Sequence, residues 1–160
     1  MAGWESVAVI VAGAAAALIG ALFIAVSINI QVIGRSIELR NRAAQTLVLF
    51  GGPLTISVLL VVPDQPLVAL GAELVTVAVL AGTTAFVLDR RAKRLQDRTT
   101  LGHVLEIATP NGATAVLTGA AGVILLLGLP AGLFLLIPGF IACLIGGAVN
   151  AWLLLTRITG

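Results

Sequence analysis

Apolar residues in this chain come in five long runs, at residues 6–33, 43–62, 67–88, 112–129 and 131–156, separated by short polar or proline-containing joints. Each run is near the roughly 20 residues that an α-helix needs to cross the hydrocarbon of a bilayer. The pattern predicts an all-α membrane protein, a single five-helix transmembrane bundle over residues 1–160 with a basic loop at 89–111. The last two runs are separated only by Gly128-Leu129-Pro130-Ala131-Gly132. Read as one helix, residues 112–156 would be roughly 67 Å long at 1.5 Å per residue, more than any bilayer core. A tight apolar hairpin is therefore expected at Pro130.

Charge orients these spans. Arg35, Arg40 and Arg42 lie between the first and second runs. Arg90, Arg91, Lys93, Arg94 and Arg98 lie between the third and fourth, and Arg157 follows the fifth. With five crossings all nine Lys and Arg residues fall on one side. Cytoplasmic loops are enriched in these residues, so the N-terminus is expected outside and the C-terminus in the cytoplasm, in an inner (plasma) membrane. The opening Met1-Ala2-Gly3-Trp4-Glu5 lacks the positive n-region of a cleaved signal peptide.

Composition narrows the class further. Apolar residues make up 59% of the chain and charged residues 10%, whereas soluble domains carry about a quarter charged residues. No basic face is left over for nucleic acid once the arginines serve as membrane anchors. Cys143, the single cysteine, has no partner for a disulfide or a metal. His103, the single histidine, is weak evidence for a metal ligand. No P-loop, HExxH, dinucleotide or nucleophile-elbow pattern occurs. The expectation is a protein without cofactor, metal or catalytic residues.

Helix association in lipid depends on close packing of small residues. In the first run Gly13, Ala17, Ala21 and Ala25 recur every four residues and lead to Asn29. In the fifth, Ala142 and Gly146 lead to Asn150, flanked by Gly139, Cys143 and Gly147. These stripes predict that the first and fifth spans pack together, with Asn29 and Asn150 near enough to hydrogen-bond. Gly51-Gly52-Pro53 predicts a kink or break in the second span, with Thr55 and Ser57 available to the freed carbonyls. Thr99 or Thr100 could cap an interfacial helix whose apolar face is Leu101, Val104, Leu105 and Ala108.

Two polar features bear on function. Glu73 is the one acid inside an apolar run, and an intramembrane acid invites a functional explanation. A helix starting near Leu70 would place it in the first turn, where the dipole favours an anion. Partner contact and ion conduction are the other readings. The cluster Arg90, Arg91, Lys93, Arg94 and Arg98 suits anionic lipid headgroups or a cytoplasmic partner.

The stretches Gly13-Ala14-Ala15-Ala16-Ala17-Leu18, Phe23-Ile24-Ala25-Val26-Ser27-Ile28-Asn29, Arg42-Ala43-Ala44-Gln45-Thr46-Leu47, Pro130-Ala131-Gly132-Leu133 and Asn150-Ala151-Trp152-Leu153-Leu154-Leu155 resemble small actinobacterial five-span integral membrane proteins, often labelled modulators of the FtsH protease. The chain departs from that group at Thr156-Arg157, where its members commonly carry an acid. The resemblance implies action by binding another membrane protein. The expected function is a non-catalytic accessory or regulatory subunit of a larger inner-membrane complex, a membrane protease or a transporter such as a lipid importer. The alternative is a homo-oligomer, a self-associating small channel or transporter that places several copies of Glu73 in a ring.

Overall fold

The computed structural model describes residues 3–93 and 110–158, and among them the apolar runs are helices. Helix α1 spans Trp4–Ile28. It stops at Asn29, whose side-chain Nδ2 and backbone N–H both donate to the Ala25 carbonyl, at 3.0 and 3.3 Å. An asparagine that bonds its own backbone competes with helix continuation. The first run, expected to be one span through Ile33, is thus interrupted. A short α2, Ile30–Arg35, follows the break. Ser36 is extended and caps α3 (Ile37–Leu60), its Oγ accepting from the Leu39 N–H at 3.3 Å.

Pro53 lies inside α3, yet α3 is continuous. Of the kink or break expected at Gly51, Gly52 and Pro53, the break does not occur. Proline removes one donor from the ladder, but Pro53 is fully buried among neighbouring helices, and such packing holds a transmembrane helix together around a proline. Thr55 Oγ1 donates to the Gly51 carbonyl at 2.9 Å. Ser57 does not act as expected, because its buried hydroxyl has no partner.

The chain then turns through Pro63-Asp64-Gln65-Pro66, with Asp64 left-handed at φ 53°, into α4 (Leu67–Lys93). Helix α5 covers Pro110–Leu126 and starts on a proline, which needs no intrahelical donor there. It ends at Gly128, whose φ is 77°. The Leu129 N–H reaches the Ile124 carbonyl at 3.2 Å and the Gly128 N–H reaches that of Leu125 at 2.9 Å, the bond pair of a Schellman stop. Pro130 prevents resumption. After a 3-10 turn, Pro130–Leu135, the chain returns as α6, Leu136–Ile158.

Among the described residues four helical stretches, Trp4–Ile28, Leu39–Leu60, Leu67–Leu88 and Pro130–Trp152, are long and apolar enough to cross a membrane. The chain is by this measure a multi-pass membrane protein. The shorter apolar stretch Asn111–Leu126 belongs to α5. At 17 residues α5 is about 25 Å long, slightly less than the roughly 30 Å of a hydrocarbon core.

Packed neighbours run antiparallel. Ala8 and Val11 of α1 share a core with Ile56 and Leu60 of α3, while Leu22 meets the opposite end of α3 at Ala43. Between α4 and α5, Gly71 meets Gly122 and Gly82 meets Ala115. Large side chains such as Ile10, Phe23, Ile24, Val79, Leu80 and Val116 point outward, as expected of a bundle solvated by lipid tails.

Candidate interaction surfaces

The tightest helix pair is α4 with α5. A Cβ on Gly71 would stand 2.8 Å from the Gly122 carbonyl oxygen, and one on Gly122 would stand 2.8 Å from that of Gly71. Here the absence of side chains is what lets two backbones touch. Ala78 with Gly119, and Gly82 with Ala115, continue the seam at ordinary contact distance. Sequence reasoning missed this seam. Its signal was the small residues at 71, 78 and 82 facing those at 115, 119 and 122, interrupted by Val75.

The stripe on α1 is placed otherwise. Gly13, Ala17 and Ala21 are exposed, and no atom of the chain lies within 4 Å of a Cβ built on Gly13. The buried face of α1 is Ala8, Val11, Ala15 and Leu22, and it packs chiefly on α3. The expected pairing of the first and last spans through these residues is therefore corrected. The Asn29 amide bonds to Ala25, and no Asn29–Asn150 bond is present. In α6, Gly146 and Asn150 are half-buried, while the flanking Gly139, Cys143 and Gly147 form the buried face. Gly147 lies under the Phe50 ring with no room for a Cβ. The reason is geometric. Phe50 needs a flat seat on α6, whereas Ala15 and Ala8 suffice to seat α1 on α3.

Antiparallel packing collects polar groups at two ends. One end holds Arg35, Arg40, Arg42 and Arg90. Arg90 is exposed, with its guanidinium 4.3 Å from the centre of the Phe86 ring one turn earlier, a cation–π contact. Arg91 and Lys93 belong to the last turn of α4. Arg94, Arg98, His103 and the expected interfacial helix lie outside the described residues.

The other end holds Glu5, Asp64 and Glu73. Helix α4 starts at Leu67, so Glu73 falls beyond the first turn, and the dipole explanation for it does not apply. The partner of Glu73 is instead Gln65, whose Nε2 donates to Glu73 Oε2 at 2.6 Å. The left-handed Asp64 turn folds Gln65 back over α4. The other amide atom, Gln65 Oε1, is buried without a partner. Beside this loop Trp4 stands edge-on to Phe134, ring centres 5.5 Å apart at 74°.

Inside the bundle, α3 to α6 enclose a crevice of about 30 Å³ lined by Pro53, Asn111, Thr114, Thr118 and Cys143 among others. That volume suits a water and is far below the 300 Å³ or more of small-molecule pockets. The Thr114 side chain hydrogen-bonds Cys143 within it, and Cys143 is buried, as a small packing residue should be. Among the described residues no group of three or more His, Cys, Asp or Glu side chains is placed to hold a metal ion.

The chain matches no protein-family model, no curated protein and no solved structure.

Proposed function

We propose that this protein is a non-catalytic accessory or regulatory subunit of a larger inner-membrane complex. In this reading it crosses the membrane five times, α5 included, with its N-terminus outside and its arginine-rich end in the cytoplasm. The observation that carries the reading is the stripe Gly13, Ala17 and Ala21. It has the spacing of a helix-packing face, but the chain's own bundle turns it outward. Glu73, held by Gln65 beside the unpaired Gln65 Oε1, adds a second contact point at the opposite end from the arginines. A donor side chain from another protein would complete it. The resemblance to small actinobacterial membrane proteins labelled protease modulators points the same way.

The test is isolation of the tagged chain, at native expression, in mild detergent, with mass spectrometry of its companions. A stoichiometric larger membrane protein, lost when Gly13 and Ala17 are both changed to Leu, is the expected result. Recovery of the chain alone, or only with copies of itself, overturns the reading. That result would turn attention to a self-associated channel and to the flux of a Glu73→Gln variant.

A further inference from the structure

We infer that the chain carries a binding groove for one anionic phospholipid, between α1 and α3 at the arginine end. The groove has a volume of about 140 Å³ and is lined by Leu22, Phe23, Val26, Ala43, Ala44 and Leu47. An apolar cavity of about 150 Å³ is enough to hold a benzene ring, so this one accommodates a segment of an acyl chain. It exists because Ala43 and Ala44 leave space where the rest of the α1–α3 seam is filled by larger side chains such as Ile56 and Leu60. Leu22 forms a buried floor. Ile33 of α2, also buried, packs on Leu22, Val26, Leu39 and Ala43, so α2 bounds the groove on the arginine side.

Charge identifies the occupant. Residues 29–47 carry three arginines and one glutamate. Arg40 is exposed and stands one helical turn before Ala43 and Ala44 on the same face of α3, about 6 Å further along the axis. Exposed Arg35 closes α2 nearby. An acyl chain in the groove therefore delivers its headgroup phosphate to Arg40, at the end of the bundle that also carries Arg35. Guanidinium groups bind phosphate bidentately, and the leaflet facing the cytoplasm is the anionic one. A lipid rather than free phosphate is required, because the six lining residues contribute no polar side chain.

The assignment rests on the arginine end facing the cytoplasmic leaflet, which is part of the reading above. Its test needs no partner protein. The purified full chain in detergent is offered equal amounts of phosphatidylglycerol and phosphatidylcholine, and native mass spectrometry counts the lipid retained. One phosphatidylglycerol per chain is expected. Arg40→Gln should lower the preference for it about fivefold, the effect of one basic group near a charged surface. Ala44→Leu, which fills the groove, should abolish retention, with thermal unfolding run alongside to show that the variant is folded. If it is not, Arg40→Gln on the exposed surface decides. Equal retention of the two lipids, or undiminished retention in folded Ala44→Leu, overturns the proposal. A chain that retains the lipid but co-isolates with nothing overturns only the accessory-subunit reading.

Discussion

Gly122 of α5 and Gly13 of α1 sit in similar sequence, each in an apolar helix with small residues three or four positions away. Their fates differ. Gly122 lies against the backbone of α4, with the Gly71 carbonyl where its Cβ would be, while Gly13 faces open space. Small residues at helical spacing state that close approach is possible. They do not say which helix approaches. Inside this chain the approach is made by α4 and α5, two neighbours of which α5 is short and gains much from a tight seam. Helix α1 has a second, opposite face of Ala8, Val11 and Ala15 for its own bundle. Its glycine-containing stripe is left over.

Substitutions separate the two cases. The largest effect is expected for Gly122→Val, which drives a branched side chain into the Gly71 carbonyl and the Val75 backbone. A loss of about 3 kcal/mol or more is expected, at the upper end for overpacking, read as earlier unfolding in mixed micelles. Near-native stability would show that the α4–α5 seam is not as close as described. Gly147→Ala should cost about 1–3 kcal/mol, because the fully buried Phe50 ring must shift to admit a Cβ. Phe50→Leu should be costly alone but recover part of the loss in the double variant. Additive effects would dismiss the contact, since residues that touch couple in such cycles. Gln65→Leu removes the bond to Glu73 and should destabilise by about 1 kcal/mol. An unchanged midpoint would mean water replaces the amide. Gly13→Leu should change stability by less than about 0.5 kcal/mol while removing any co-isolated partner. Marked destabilisation there would place the stripe inside the bundle after all.

Much of the helical framework was legible in the sequence. Run length sets the helices, and Gly128 followed by Pro130 marks the reversal before α6. The failures share a physical cause. In a soluble helix the apolar stripe points at the core, but here the outward faces of α1 and α4 are also Val, Ile, Leu and Phe. Periodicity then no longer tells inside from outside, and the regular Gly13 stripe outweighed the interrupted Gly71–Gly82 one. Asn29 looked like an interhelical donor because sequence spacing does not reveal that its amide bonds locally. Pro53 looked like a break because the support of its neighbours is tertiary. The Gln65–Glu73 pair was hidden by a turn in which Asp64 takes a conformation that Gly or Asn adopts more readily. The α1–α3 groove was equally hidden, since Ala43 and Ala44 read as ordinary helix formers.

The gathering of Arg35, Arg40, Arg42 and Arg90 at one end and of Glu5, Asp64 and Glu73 at the other gives the bundle a charge asymmetry along its length, on which a transmembrane voltage would act. Each elementary charge carried across a 100 mV potential changes the energy by about 2.3 kcal/mol. In a cell polarised negative inside, arginines inward and carboxylates outward both lie downhill. Inverting the bundle would carry both sets against the field. In the proposed orientation an energised membrane would therefore hold the protein in place long after insertion is complete, and a collapsed potential would remove that part of the hold.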